Sequence, residues 1–299
     1  MKRRALLTAA VSAVVLSSCG GDKKEAGGGG SGGGGDAVLK FSAIPDQNKA
    51  EIKAGFDKIA AHLSKELGVK VEYSPSSDYK ASVVSFTQGD IQLAWFGGVT
   101  GAQARAKVEG AHAIAQGKAD PNYYSYFIAH KDTGLEKSDD FPSGIAGKSF
   151  TFGSESSTSG RVMPEYFIRK QTGKSPEEFI GSKPGFSGGH DTTAKAVESG
   201  QVEVGVLSYK TYDKMVKNGD IDPEVCKIIW KTPFYADYNW TAHPDLEKKF
   251  GEGFTDKVKA ALLALPADLL EVFPRDSMIE AVDSDFQGIV DVCKELGFL

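Results

Sequence analysis

The sequence predicts an α/β protein built from two lobes. Apolar runs of strand length alternate with segments in which apolar residues recur every three or four positions, as they do from Lys49 to Leu67. This alternation restarts at residues 149–152 and continues to residue 230, which indicates a second α/β series before a mostly helical tail. We therefore expect mainly parallel sheets with helices on both faces, and two crossovers between the lobes near residues 130–136 and 232–240.

The elements of the first series follow one another with short loops. Pro45-Asp46 ends the first strand and Gly68 stops the first helix. The predicted strands are 38–44, 69–73, 91–96, 111–115 and 123–130, and the predicted helices are 49–67, 79–87 and 100–107. In the second series, the predicted strands are 149–152, 202–206 and 225–230, and the predicted helices are 160–172, 190–199 and 209–217. A ligand is expected between the lobes, where strand C-termini and helix N-termini converge.

The N-terminus has the pattern of a lipoprotein signal peptide over residues 1–18. Basic residues at positions 2–4 precede an apolar run, Leu6 to Leu16, that is too short for a permanent membrane span. Leu16-Ser17-Ser18-Cys19 then resembles a bacterial lipobox, in which Cys19 is acylated and becomes the first mature residue. The alternative is a plain signal peptide followed by a chance cysteine.

Residues 19–36 are expected to form a flexible tether. The stretch from Gly20 to Asp36 holds 10 of the 35 glycines and cannot bury apolar area. Removal of residues 1–18 takes away three positive charges and no negative ones, so the net charge changes from −5 to −8. This charge argues against nucleic acid as a partner. An anion site would have to rely on local hydrogen-bond donors.

The remaining cysteines and the histidines give no metal or cofactor motif. Cys226 and Cys293 either form a disulfide or remain two buried thiols, since sequence alone does not give their separation. The five histidines lack the H-x-H or H-x-x-x-H spacing of metal ligands. The stretch Gly144 to Ser149 does not match a phosphate-binding loop, because its glycines are too close and its Lys-Ser pair leads into a strand.

The segment Gly153 to Gly160 is a Ser/Thr-rich turn between a predicted strand and a predicted helix. Ser157, Thr158 and Ser159 are adjacent at the point where the helix begins. The first N–H groups of a helix lack partners, and the helix dipole favours negative charge there. The turn therefore predicts an anion cradle, with an ordinary N-cap as the alternative.

His190, in a Gly-Gly-His-Asp turn at a helix start, is either a donor beside that helix or a capping or surface residue.

Several motifs together resemble the phosphonate/phosphite-type substrate-binding proteins of ABC importers, over nearly all of the chain after residue 37. The matching motifs are Ser42-Ala43-Ile44-Pro45-Asp46, Asp78-Tyr79, Leu93-Ala94-Trp95-Phe96-Gly97-Gly98, Ser157-Thr158-Ser159-Gly160 with Pro164, Gly188-Gly189-His190-Asp191, and Asp237-Tyr238-Asn239-Trp240-Thr241. The detailed sequence of these motifs is most similar to a branch of this family labelled selenate-binding. The resemblance implies a periplasmic-binding-protein fold (type II-like) with two hinge crossovers, and lobes at 37–133 with 237–299 and at 134–236.

The resemblance also implies which residues hold the ligand. The tetrahedral head of the ligand is held by the Ser-Thr-Ser turn, which falls at 157–159, by a histidine at His190 and by an aromatic hydroxyl at Tyr79. A second family tyrosine falls at Phe96, which lacks the hydroxyl. The acidic residue of the phosphonate binders falls at Ser208, which can only donate or accept a hydrogen bond.

This last departure bears on the ligand. A carboxylate suits a protonated oxyanion or an aminoalkyl group and repels a fully ionised dianion. We therefore favour a small inorganic oxyanion (selenate, sulfate or phosphite-like) over an organic aminoalkylphosphonate, which stays the alternative.

The expected protein is a binding lipoprotein and not an enzyme. It would be held to the membrane by the lipid on Cys19, outside the cytoplasm, and would deliver its oxyanion to an ABC permease and its ATPase without a cofactor. A secreted serine hydrolase with Ser157 as nucleophile and His190 as base is a remote alternative, because no acid other than the adjacent Asp191 is available to orient the histidine.

Overall fold

The computed structural model describes residues 37–299, so the predicted signal peptide, the tether and Cys19 lie outside the described residues. Strands β1 to β11 of this part of the chain follow in order: Val38–Ala43, Lys70–Tyr73, Leu93–Phe96, His112–Gly117, Ser125–His130, Phe150–Phe152, Gly185–Phe186, Val204–Ser208, Cys226–Lys231, Asn239–Ala242 and Met278–Glu280.

The helices agree closely with the predicted periodicity in the first half of the chain. Helices α1 to α11 are Lys49–Leu67, Tyr79–Thr87, Gly98–Lys107, Met163–Thr172, Pro176–Ile180, His190–Glu198, Tyr209–Asn218, Asp245–Phe250, Phe254–Leu263, Ala267–Leu270 and Gln287–Glu295. Short 3₁₀ turns occupy Asp120–Asn122, Lys131–Thr133, Ser143–Ile145 and Asp283–Phe286. Helix α1 begins at Asn48, whose side chain accepts the N–H of Ala50 at 3.0 Å, and ends at Gly68 with φ of 68°.

The strands form two sheets, with the orders β11-β4-β10-β3-β1-β2 and β7-β6-β8-β5-β9. We call residues 37–117 and 239–299, which surround the first sheet, lobe one, and residues 125–231 lobe two. Both sheets are mixed, so the prediction of mainly parallel sheets was wrong. The reason is that β10 returns to lobe one antiparallel to β3 and β4, and β5 enters lobe two antiparallel to β8 and β9. Periodicity does not reveal strand direction.

The chain crosses from lobe one to lobe two at residues 118–124, between β4 and β5. The expected crossover near 130–136 and the lobe boundary at 133 were therefore too late, because β5 has an ordinary strand pattern that does not show which sheet it joins. The return crossover consists of residues 232–238, between β9 and β10. The crossovers pair with each other through Tyr123 and Tyr235, whose backbone N–H groups donate to each other's carbonyl oxygens at 2.9 and 3.0 Å.

The sheet of lobe two is covered on both faces. Phe127 and Ala129 of β5 belong to the large core that also contains α4, whereas Ile128 packs into a second core beneath α6 and α7. Cys226 lies in that second core and Cys293 lies in α11 of lobe one; both are free, buried thiols, so the disulfide alternative is wrong. Among residues 37–299, no helix has both the length and the apolarity needed to cross a bilayer.

Candidate functional site

The hydroxyl-rich turn lies buried at the start of a helix. Ser157 is the N-cap residue, and its Oγ accepts a hydrogen bond from the backbone N–H of Gly160 at 3.0 Å. The next turn, Thr158–Val162, is wound as a π-helix that leads directly into α4. Ser157, Thr158 and Ser159 are all at most 2% exposed. Ser157 therefore acts as an ordinary cap, but this leaves the other two buried hydroxyls without a role in capping.

The N-terminus of α3 in lobe one faces this turn. The backbone N–H of Val99 donates to Thr158 Oγ1 at 3.0 Å, and the N–H of Gly98 donates to Asp237 Oδ1 at 2.9 Å. A Cβ atom on Gly97 would lie 3.0 Å from Thr158 Oγ1 and 3.2 Å from Asp237 Oδ1, so glycine permits this close approach without displacing either side chain. Helix starts from both lobes thus converge on one small volume, and each favours negative charge there.

His190 is buried at the start of α6 and lies beside the turn. Its Nδ1 accepts the backbone N–H of Ser208 at 3.3 Å, so the ring proton resides on Nε2. Nε2 is 3.4 Å from Ser159 Oγ and 3.5 Å from Tyr238 Oη. Burial lowers the pKa of His190 to about 3, so the ring is a neutral N–H donor. The expectation of a surface histidine is excluded, since the residue is 1% exposed.

Asp237 places a carboxyl group among these donors. It is 1% exposed, and no hydrogen bond within the described chain reaches its Oδ2. Burial raises the pKa of Asp237 to about 7, against the opposing effect of the Gly98 N–H bond and the hydroxyls of Thr158 and Ser159. The argument that the site lacks a carboxylate because Ser208 replaces an acid was therefore wrong.

Tyr79 contributes a phenol from the first position of α2. Its Oη is buried and has no hydrogen bond with good geometry among residues 37–299. Burial, reinforced by the charge of Asp46, raises the pKa of Tyr79, while the neighbouring Ser157 hydroxyl offsets part of the rise. The phenol is therefore a protonated donor next to the hydroxyl turn, and its role in ligand binding stays a prediction.

Phe96 and Ser208 have other surroundings. The Phe96 ring packs edge-on against Phe86 at 5.5 Å, in the core of lobe one. Ser208 caps α7, and its backbone N–H orients His190. Its Oγ is hydrogen-bonded to the hydroxyl of Tyr123 in the first crossover, so the region does contain a second buried tyrosine, although not at position 96.

Sequence reasoning missed Asp237, Tyr238 and Tyr123 as site residues. Asp237 and Tyr238 were part of a matching motif, but their position in a crossover gave no indication of which way the side chains point. Tyr238 Oη donates to Asp46 Oδ2 at 2.7 Å, and the Tyr238 ring stacks on Trp95 at 5.5 Å. Trp240, two residues further on, is fully buried in the core.

A buried ion pair supports the crossovers behind the site. Arg275 Nη2 lies 2.6 Å from Asp120 Oδ1, and both side chains are at most 3% exposed. The guanidinium lies 4.9 Å from the Tyr238 ring and 5.1 Å from the Tyr123 ring. The backbone carbonyl of Asp120 accepts the N–H of Asp237 at 3.1 Å, which fixes the position of that carboxyl group.

The arrangement suits binding of an oxyanion and does not suit hydrolysis. For His190 to act as the general base for Ser157, its Nε2 would have to be unprotonated and its Nδ1–H would have to donate to a carboxylate. Nδ1 instead accepts a backbone N–H, and Ser157 Oγ accepts the N–H of Gly160. In the part of the chain that the structure covers, no group of three or more His, Cys, Asp or Glu side chains is placed to hold a metal ion.

Comparison with known proteins gives a consistent picture. A model of the family described as ABC transporter, phosphonate, periplasmic substrate-binding protein matches residues 41–286. The chain is 38% identical over 267 residues to a protein of Prochlorococcus marinus named as an ABC transporter phosphite binding protein, PhnD1, with 87% of this chain and 90% of that protein covered. It is 30% identical over 291 residues to the phosphate-import protein PhnD of Mycolicibacterium smegmatis, with 87% and 86% covered.

A solved structure agrees with these sequence matches. The crystal structure of Prochlorococcus marinus PhnD1 in complex with methylphosphonate superimposes with a TM-score of 0.83 at 38% identity. The superposition covers 88% of this chain and 99% of that one. The two-lobed α/β fold described above is therefore shared with it.

Proposed function

The chain belongs to the family of periplasmic substrate-binding proteins of phosphonate ABC transporters, and on that premise we propose that it captures a protonated tetrahedral oxyanion of the phosphite, methylphosphonate or phosphate class between its lobes. One observation carries the proposal: the start of α3 in lobe one and the 158–162 turn in lobe two meet at the Val99–Thr158 hydrogen bond, 3.0 Å long, beside the neutral His190. Neutral donors from both lobes therefore surround one volume.

Binding would exchange protein–protein hydrogen bonds for bonds to the anion. The hydroxyls of Thr158 and Ser159, the phenol of Tyr79 and the Nε2–H of His190 are the available side-chain donors. A hydrogen bond to a charged group contributes about 1.5–3 kcal/mol net. Four such bonds would contribute about 6–12 kcal/mol, and micromolar affinity corresponds to about 8 kcal/mol, so the backbone N–H groups at the two helix starts must help to offset the cost of association. Because the donors come from both lobes, the anion favours the closed state.

Asp237 supports a protonated oxyanion over a dianion. Its carboxyl group is buried beside the donors and has a pKa of about 7, so near neutral pH it can share one proton with the ligand. Phosphite, phosphonate and phosphate lose their last acidic proton near neutral pH, so a substantial fraction of each still carries it, whereas sulfate and selenate are fully ionised and leave the carboxylate facing a second negative charge. Of the small inorganic oxyanions that the sequence favoured (selenate, sulfate or phosphite-like), this reasoning keeps the phosphite-like one and disfavours selenate and sulfate.

The relatives support the same ligand class. One is named as phosphite-binding and was solved with methylphosphonate, and another is named as a phosphate-import protein. The main alternative is a protein of this fold that prefers a larger organic alkylphosphonate.

Two further elements of the proposal come from the sequence. We propose that Cys19 is lipidated and that the Gly-rich tether holds the binding lobes outside the cytoplasm, near an ABC permease and its ATPase that receive the ligand. Metabolic labelling with a palmitate analogue tests the anchor: the label is expected on the wild-type protein and absent from Cys19→Ser. Equal labelling of both proteins overturns the assignment of Cys19.

A ligand panel tests the binding function. Thermal-shift and calorimetric titrations would use phosphite, methylphosphonate, phosphate, 2-aminoethylphosphonate, sulfate and selenate. We expect binding of the first three and little response to sulfate or selenate. Preference for 2-aminoethylphosphonate would favour the organic alternative. Binding of selenate or sulfate in preference to phosphite would refute the role assigned to Asp237, and no response to any of the six would refute the proposed function.

A further inference from the structure

Asp46 connects both sides of the candidate site. It lies in lobe one, between β1 and α1, and is 8% exposed. Its backbone carbonyl accepts the N–H of His190 at the start of α6 in lobe two, at 3.0 Å. Its side-chain Oδ2 accepts the hydroxyl of Tyr238 at 2.7 Å. One residue thus holds a lobe-two helix start with its main chain and an aromatic residue of the return crossover with its side chain.

The contact through Tyr238 leads to the donors of the site. Tyr238 Oη is 3.5 Å from His190 Nε2, which is itself 3.4 Å from Ser159 Oγ. Since the hydroxyl proton of Tyr238 is donated to Asp46, the oxygen presents only lone pairs to the Nε2–H of His190. Asp46 therefore determines the orientation of Tyr238 and, through it, the position of the histidine donor.

We propose that Asp46 is a positioning residue that latches the closed state: its carboxylate fixes Tyr238 against His190 and its carbonyl fixes the start of α6, so that it determines how long the bound anion is retained. This inference rests on the proposed function. Asp46 itself does not bind the anion, because its carboxylate faces Tyr238 and its charge would oppose an anionic ligand.

The surroundings of Asp46 favour a direct contact over a water-mediated one. The cavity beside it has a volume of about 10 Å³ and is lined by Trp95, Tyr238 and Arg275, among others. This volume is at the lower limit for a single water molecule, about 10–15 Å³. Truncation of the carboxylate would remove the direct, charged acceptor of the Tyr238 hydroxyl, and a water molecule entering the enlarged cavity would replace it only with a neutral and more mobile partner.

The charged groups near Asp46 have opposing effects. Burial raises the pKa of Asp46 to about 6, the Tyr238 hydrogen bond and the positive charge of Arg275 lower it, and Asp191 at the start of α6 raises it. Lys210 of α7 lines the same cavity. The carboxylate is therefore kept ionised near neutral pH by its direct contacts, despite its burial.

A double-mutant cycle tests the latch. Asp46→Ala, Tyr238→Phe and the double variant would be compared by calorimetry and stopped-flow kinetics with phosphite and with methylphosphonate. Each single variant is expected to release the ligand about 10-fold faster or more, as for loss of a hydrogen bond to a charged group, with a nearly unchanged association rate. The double variant is expected to be no worse than the more affected single variant, because both remove the same contact.

Two further variants separate positioning from general destabilisation. Asp46→Asn keeps an acceptor oxygen for Tyr238 and is expected to restore most of the retention. Asp57→Asn removes an exposed carboxylate of α1 that pairs with Lys53, and is expected to release the ligand like the wild type. If Asp46→Ala does not fold, Tyr238→Phe removes the same contact from the other side, and release from Tyr238→Phe at the wild-type rate overturns the latch.

The experiments distinguish failure of the latch from failure of the proposed function. Wild-type release rates in Asp46→Ala, or additive effects in the double variant, overturn the latch while ligand binding by the wild type leaves the function intact. Failure of the wild type to bind phosphite and methylphosphonate overturns the proposed function, and the latch with it.

Discussion

Thr158 Oγ1 accepts a hydrogen bond from the backbone N–H of Val99 at 3.0 Å, and this bond joins the helix start of lobe two to that of lobe one. The same α3 N-terminus donates from Gly98 to Asp237. An anion placed between these groups would be contacted by both lobes at once. Closure and ligand binding are therefore expected to be one event, and substitutions on either side of this contact should affect ligand retention.

The first prediction concerns the hydroxyl turn. Ser157→Ala combined with Thr158→Ala removes the helix cap and the hydroxyl that contacts α3. Loss of one charge-assisted hydrogen bond from Thr158, together with loss of the cap that orders the turn, should weaken phosphite or methylphosphonate binding by about 100-fold or more in calorimetry. Ser143→Ala, at an exposed position of the Ser143–Ile145 turn, is the matched control and should bind normally. Unchanged affinity in the double variant would exclude this turn as the binding site.

The second prediction concerns Gly97. A methyl group there would approach Thr158 Oγ1 to 3.0 Å and Asp237 Oδ1 to 3.2 Å, so Gly97→Ala should push the lobes apart. We expect at least about 10-fold weaker ligand binding, which corresponds to about 1.4 kcal/mol, with a fold that still forms.

Gly288→Ala provides the control for the second prediction. A Cβ at Gly288 in α11 meets nothing within 4 Å, and alanine is the better helix former by about 0.5–1 kcal/mol. This variant should bind like the wild type and be slightly more stable in thermal unfolding. Gly97→Ala with wild-type affinity would show that the lobes do not need to approach as closely as the structure indicates.

The third prediction concerns the pH dependence of binding. The pKa of Asp237 is raised to about 7 in the folded chain, so the protonated form is favoured by folding and closure, and its contribution is lost as the pH rises through about 7. Phosphite affinity should therefore fall between about pH 6 and about pH 8, as the proton shared with the ligand is lost. Asp237→Asn should flatten this profile.

The same variant tests ligand discrimination. An asparagine amide cannot repel a dianion, so Asp237→Asn should improve sulfate and selenate binding relative to phosphite in calorimetry. Asp191→Asn, a half-buried carboxylate at the start of α6, serves as the control and should keep the wild-type order of ligands. An unaltered pH profile and an unaltered ligand order in Asp237→Asn would together rule out proton sharing.

The sequence predicted the family, the two-lobed fold and most helices. Apolar periodicity indicates the helices and strands, and the motif sequences indicate the family. The comparisons confirm the family, and the solved relative confirms the fold. Helix α1 was predicted with the bounds that the structure has, since its apolar spacing, its cap and Gly68 all agree. The direction of β5 and β10 could not be predicted, because a strand pattern is the same in a parallel and an antiparallel pair.

Sequence reasoning proposed the hydroxyl turn, Tyr79 and His190 as site residues because turn chemistry and helix starts are visible in sequence. The structure brings them close together, and their role in binding stays a prediction. Asp237 was missed because its role depends on burial between lobes, and burial in a crossover has no periodic signature. The error at Ser208 had a related cause. An acid was sought after one strand, whereas in this chain the carboxyl group reaches the site from the return crossover, where the carbonyl of Asp120 holds its backbone.

The last prediction concerns the solvent-exposed edge of the contact between the lobes. Lys214 of α7 lies 3.6 Å from Glu51 of α1, across the two lobes, and their side chains are 30% and 64% exposed. A cavity of about 290 Å³ beside them is also lined by Asp268 and Glu271, so a lysine of lobe two faces acidic groups of lobe one. A pair this exposed contributes only about 0.2–1 kcal/mol.

Lys214→Glu should therefore weaken phosphite or methylphosphonate binding by about twofold to fivefold at low salt, with a smaller effect at high salt. Glu51→Lys should act in the same direction, and the charge-swapped double variant should recover most of the affinity in calorimetry. Lys53→Glu, on the solvent side of α1, is the matched control and should have little effect. If the double variant binds more weakly than both single variants, this pair does not contribute to closure.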